Sequence, residues 1–180
     1  LGVVLSDGGF SFLFFWELMT VASFLLILFD AQRREVRRAA LSYLIMMHIG
    51  FVLLVIGFVR LDAACGAATF RALGDYFRTQ PGLPLLLVFL AGFGMKAGLF
   101  PMHVWLPEAH PAAPSHVSAL MSGVMIKTGV YGILRVTAAL GEQPLLHTAG
   151  VILLAAGVVT GLWGVILSAM QNDVKRLLAY

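Results

Sequence analysis

Three ionisable side chains stand in segments otherwise too apolar to hold them. Glu17 lies in Ser11-Phe12-Leu13-Phe14-Phe15-Trp16-Glu17-Leu18-Met19-Thr20, Lys96 lies in Leu90-Ala91-Gly92-Phe93-Gly94-Met95-Lys96-Ala97-Gly98-Leu99-Phe100, and Lys127 is the sole charge between Val117 and Leu134. A lysine near the centre of a membrane helix costs about 2.5 to 3.5 kcal/mol on insertion scales, so it faces protein, water or a counter-charge and marks a charge pathway by default. One acid and two bases at that depth suit proton movement. A nearby opposite charge and desolvation act on such groups in opposite directions, so hydration or a moving neighbour decides where the proton resides. The plain alternative is a structural ion pair, with one lysine neutralising Glu17 and nothing moving.

Histidines add weaker candidates, since imidazole exchanges protons near neutral pH. His48 falls inside an apolar stretch, while His103, His110 and His116 flank a proline-rich segment where a histidine can equally bond a helix end. Haem ligation by pairs of them is poorly supported, because prolines break their spacing. Trp16, Trp105 and Trp163 read as packing residues.

The elements that must hold these groups follow from composition. The chain has 180 residues, 60% hydrophobic and 12% charged, with a mean hydropathy of +0.93. A soluble domain carries about a quarter charged residues, so this is an integral membrane protein. Nineteen glycines suit closely approaching helices. The pI near 9.4 does not indicate nucleic-acid binding, because the arginines fall in short connections, where they set membrane orientation. Cys65 is the only cysteine, which excludes an intrachain disulfide or a thiolate cluster built from this chain. No phosphate loop, nucleophile elbow or paired-carboxylate site is present.

Five stretches approach the roughly 20 residues a spanning helix needs: 9–29, 40–59, 83–100 with a break continuing to 115, 116–138 and 148–170, with a further helix starting at 173–180. The whole, 1–180, reads as one all-α, polytopic transmembrane bundle; barrel strands would show short alternation, which is absent. Four arginines in 30–39 and Lys175 with Arg176 in 171–180 predict that both connections are cytoplasmic. Alternation puts 101–115 on the same side, although it carries no lysine or arginine. Gly98, Pro101, Pro107, Pro111 and Pro114 predict a helix break just after Lys96. Broken helices at membrane depth line cavities where freed carbonyls can hold ions. Asn172-Asp173 should cap the next helix.

Phe15-Trp16-Glu17-Leu18-Met19, the run from Lys96-Ala97-Gly98-Leu99-Phe100-Pro101 through Met102-His103-Val104-Trp105-Leu106-Pro107-Glu108-Ala109-His110, and Asp173-Val174-Lys175-Arg176-Leu177-Leu178-Ala179-Tyr180 together resemble the proton-translocating antiporter-like subunits of complex I, multisubunit sodium/proton antiporters and membrane-bound hydrogenases. The stretch from Ala109 to Lys127 is most similar to the large membrane subunit of formate hydrogenlyase and hydrogenase-4 type complexes. The resemblance implies an inverted-repeat antiporter-like fold of which this chain is a fragment, in a bacterial or archaeal plasma membrane. It also implies a relay from Glu17 and Lys96 to Lys127, with other membrane subunits and a peripheral redox arm as partners. Iron–sulfur, nickel–iron or flavin groups are then expected only in those partners and none in this chain. A sodium/proton antiporter subunit without redox coupling, or a structural membrane anchor of a hydrogenase, are the alternatives.

Overall fold

In lipid every backbone N–H and C=O must be satisfied within the protein, and the chain does so with helices alone. The computed structural model describes residues Leu1–Tyr180. A single turn, α1 (Gly2–Leu5), precedes α2 (Gly9–Ile27) and α3 (Arg34–Cys65). The last of these extends well beyond 40–59 in both directions. Arginine and glutamate are good helix formers, so Arg34-Glu35-Val36-Arg37-Arg38 continues the helix towards water instead of ending it. The expected connection at 60–81 likewise holds a short amphipathic helix, α4 (Ala72–Thr79), which buries Leu73, Tyr76 and Phe77.

Next comes α5 (Gly82–Ala97), which ends at Gly98 with φ of 76°, a left-handed conformation that glycine adopts without strain. Its 16 residues span only about 24 Å at 1.5 Å per residue, short of the roughly 30 Å hydrocarbon core. The broken stretch carries α6 (Leu106–Ala112). Then α7 (Ser115–Leu120), a π-turn (Met121–Met125) and α8 (Ile126–Ala139) form one continuous unit, Ser115–Ala139. α9 (Pro144–Ala169) follows, and α10 (Val174–Leu177) is capped by Asp173, whose Oδ1 accepts from the N–H groups of Lys175 and Arg176. Four helical units, Gly9–Asp30, Arg34–Cys65, Ser115–Ala139 and Pro144–Ala169, are long and apolar enough to cross a membrane. Together with the shorter α5 they make a multi-pass membrane bundle.

α3 is the central element, packed against α2, α5 and α6, and α5 also lies along α8. α9 stands at the edge, touching α5 and α10. Two apolar cores result. One is aromatic, with Phe12, Trp16, Phe58, Phe89 and Phe93 at its centre; their rings meet at centroid separations of 5.1–6.1 Å, and Phe12–Phe93, Trp16–Phe93 and Phe58–Phe89 do so edge to face, an arrangement aromatic quadrupoles favour. The other gathers Ile27, Tyr43, Met47, Trp105, Met121 and Met125. Met19 packs against both, at the seam between them.

Each end of the bundle has its own polar network. At one, Arg33, Arg38, Glu108, Asp173 and Arg176 line a common crevice of about 540 Å³, so 30–38, 101–114 and 171–176 share that end. At the other, Asp7 pairs with Arg71 at 3.1 Å and with Arg135 at 3.2 Å, and the Arg135 guanidinium lies 3.7 Å over Phe70.

Glycine permits the α5–α8 contact. A Cβ on Gly129 would lie 2.5 Å from the Ala97 nitrogen and 2.8 Å from the Phe93 carbonyl oxygen, whereas at Gly150 it would meet nothing. Gly129→Val is expected to destabilise the purified full-length protein by about 1–3 kcal/mol through overpacking, and Gly150→Ala to leave its thermal midpoint unchanged or slightly raised.

Candidate functional site

Lys96 occupies the last turn of α5 and is 1% exposed. Its Nζ donates to the Thr20 hydroxyl at 2.7 Å and stands 4.6 Å from the centroid of the Trp16 ring. The Thr20 hydroxyl in turn donates to the Trp16 carbonyl at 3.0 Å. No carboxylate oxygen lies within 4.0 Å of Nζ; the acidic ion pairs are all elsewhere. A hydroxyl accepts from an ammonium and can also turn to donate to a neutral amine. The Thr20 hydroxyl can therefore partner the amine in either protonation state.

The break that follows fixes this turn. The Gly98 and Leu99 N–H groups both bond the Gly94 carbonyl, and the Trp105 indole N–H donates to the Met95 carbonyl at 2.9 Å. Helix ends leave their last carbonyls without intrahelical partners, and Trp105, fully buried, satisfies one of them. Trp16 and Trp105 are thus packing residues, while Trp163 is partly exposed on α9.

Glu17 is brought to the same region from α2. Its Oε1 lies 3.0 Å from Nε2 of His48 on α3, and Nδ1 of His48 lies 3.0 Å from the Leu44 carbonyl oxygen. A carbonyl can only accept, so Nδ1 carries a proton; the Glu17–His48 contact then needs one further proton, held either by the carboxyl or by Nε2. Glu17 Oε2 is buried without a protein partner, as is the Tyr43 hydroxyl.

Side chains that motif reasoning passed over complete the seam. Thr20 and Ser23 follow Glu17 at helical spacing on the buried face of α2, Tyr43 faces them from α3, and Thr128 of α8 bonds the Met125 carbonyl at 2.7 Å. Ser23 reaches the Met125 sulfur at 2.9 Å. The signal was legible: positions 17, 20 and 23 repeat at three-residue steps, so they share a face. The π-turn Met121–Met125 lies opposite this seam, and such turns are frequent at functional sites.

Lys127 is not brought into the group. It is exposed, because Met121, Met125 and Thr128 occupy the inward face and residue 127 projects from the other side of the same helix. His116 is exposed too, away from Lys96. His110 is buried and its Nδ1 meets the Ser118 hydroxyl; burial, and then the charge of Lys175, hold its pKa below the usual imidazole value. His103 is partly buried, which also lowers its pKa, and its ring faces Phe100 and Tyr180. Lys175 Nζ donates to the Ala113 carbonyl at 3.2 Å. His103, His110 and Lys175 therefore belong to a separate group at the polar end of the bundle.

Residues 6–180 match the family described as NADH:quinone oxidoreductase/Mrp antiporter, transmembrane. Hydrogenase-4 component B of Escherichia coli strain K12 is 40% identical over 184 residues, covering 99% of this chain and 27% of that protein. A putative antiporter subunit, mnhA2, of Staphylococcus aureus is 36% identical over 186 residues, covering 100% of this chain and 23% of that one. The chain thus spans about a quarter of the length of these curated relatives. Among solved structures, a chain of the Mrp complex from Dietzia sp. DQ12-45-1b superposes with a TM-score of 0.89 at 27% identity, over 100% of this chain and 20% of that one.

Thr20→Val removes the Lys96 acceptor without changing shape and is expected to destabilise the protein by about 1–3 kcal/mol, with Thr20→Ser restoring most of it in thermal unfolding. Lys175→Met should move the His110 titration upward while burial keeps it below that of a free imidazole, as followed by NMR of labelled histidine.

Proposed function

The chain belongs to the NADH:quinone oxidoreductase/Mrp antiporter family, and from that premise we propose that it carries protons through part of a redox-driven membrane complex. The observation that supports this reading is the buried Lys96 amine, held by a hydroxyl and not by a carboxylate, beside a helix break. A structural counter-ion would be expected in direct contact with its acid. Here the acid is paired with His48 instead, so two proton-holding units stand side by side without locking each other. Glu17 and His48 form the first unit, Lys96 the second, and the Thr20 hydroxyl orients the second.

Lys127 is the outlet in this scheme. An unpaired ammonium on an apolar outer face is costly in lipid, so the remainder of the longer protein, which the relatives' lengths suggest, covers this face and receives the proton there. His103, His110 and His116 are assigned to the approach from the arginine-bearing end, which faces the cytoplasm on the positive-inside principle. The driving redox chemistry belongs to partner subunits, where iron–sulfur, nickel–iron or flavin groups reside, and this chain binds none of them. One charge crossing the membrane couples to potential by about 2.3 kcal/mol per 100 mV, within the range that a change of contacts at a buried ionisable group supplies.

Sodium/proton antiport without redox coupling is the second reading, favoured by the 36% identity to the antiporter subunit; the 40% identity to hydrogenase-4 component B leans the other way. In vesicles carrying the intact complex, Glu17→Gln, Lys96→Ala and Lys127→Ala, each checked for assembly, are expected to bring redox-driven proton uptake down to the passive leak. Unchanged uptake in assembled variants would reduce the subunit to an anchor. Uptake that requires sodium, with or without a redox substrate, would select the antiporter.

A further inference from the structure

The outward face of α3 carries a feature the relay does not use. Arg34, Arg37 and Arg38 rim an open groove of about 620 Å³ floored by Leu41, Ile45 and Met46. A second groove of about 480 Å³ shares Ile45 and continues past His48, Ile49 and Val52. Leu41, Ile45, Ile49 and Val52 recur at helical spacing and are each 45–58% exposed, so the two grooves form one track with its charge at a single end.

That charge has no direct carboxylate partner in the groove. No acidic residue lines the first groove, neither Arg34 nor Arg38 has a carboxylate within 4.0 Å, and Arg37 spends its Nη1 on the Ala31 and Gln32 carbonyls. Arg38 also lines the crevice on its far side, where Glu35, Glu108 and Asp173 stand among Arg33 and Arg176, but none of those carboxylates comes within 4.0 Å of it. The apolar part of the track, from Leu41 to Val52, rises about 16 Å at 1.5 Å per residue, which matches one leaflet of a hydrocarbon core roughly 30 Å thick.

We infer that this face of α3 binds an anionic phospholipid, its phosphate held by Arg34 and Arg38 and one acyl chain lying along Leu41, Ile45, Ile49 and Val52 beside His48. Guanidinium forks match phosphate oxygens in geometry as well as charge, and arginines at the membrane surface attract anionic headgroups. A lipid supplies the anion and the apolar chain in the order the track presents them, whereas an apolar helix of another subunit would leave the arginines unanswered.

The test uses the full-length protein in its complex, isolated in mild detergent, offered phosphatidylglycerol or phosphatidylcholine and read by native mass spectrometry. Retention of phosphatidylglycerol at concentrations about tenfold lower than phosphatidylcholine is expected, with the preference lost in Arg34→Gln/Arg38→Gln and kept in Arg60→Gln at the other end of α3. Should the double variant not assemble, a photoreactive benzoylphenylalanine replacing Ile49, with the arginines intact, decides the matter by yielding a lipid adduct. Equal retention of the two lipids, a preference that survives the double substitution, or an adduct to a polypeptide overturns the inference.

Discussion

Keeping one lysine amine out of water is the constraint on which the rest of this bundle depends. Lys96 is enclosed by α2, α3, α5 and the broken segment after α5, and none of those elements could pack as it does if the amine needed a full hydration shell. The Trp16 ring supplies a π-face and Thr20 supplies an oxygen, so the group is solvated by protein at low cost in rigidity. Trp105 closes the arrangement from below by taking the Met95 carbonyl.

The aromatic core and the methionine-rich core stand on either side of that seam. This division has a mechanical meaning. Phe12, Trp16 and Phe93 interlock edge to face, giving one wall that resists rearrangement, because dense aromatic packing tolerates little displacement. Met19, Met47, Met121 and Met125 form the other, and unbranched thioethers repack easily. The π-turn falls within the second wall. A rearrangement around Glu17 and Lys96 would therefore meet less resistance on the methionine side than on the aromatic side.

Glu17, Lys96 and Lys127 look equivalent as isolated charges in apolar sequence, yet they have three different environments. Glu17 reaches a histidine at the bundle edge, Lys96 is sealed inside, and Lys127 faces outward. The three positions therefore differ in what surrounds them: an imidazole partner, a protein-lined pocket and an outward-facing surface. The anionic lipid assigned to α3 would place a low-dielectric neighbour against the first of these, which makes the membrane itself part of the site's boundary.

Composition and the lack of strand alternation settled that the chain is helical and membrane-embedded, since only helices and closed barrels satisfy a backbone in lipid and barrel strands alternate. The prolines after Gly98 located the break, because a missing donor and a fixed φ act locally whatever surrounds them. Helix propensity at Arg34–Arg38 carries α3 outward past its apolar stretch, an extension that hydropathy does not register. The amphipathic α4 escaped notice likewise. Which charges meet was decided only in three dimensions. Residue type cannot tell whether position 127 faces its neighbours or the bilayer, since that depends on which side of α8 glycine allows to approach α5. The partners of Lys96 and Glu17 come from helices distant in sequence, and their choice of hydroxyl and imidazole over each other is a property of packing.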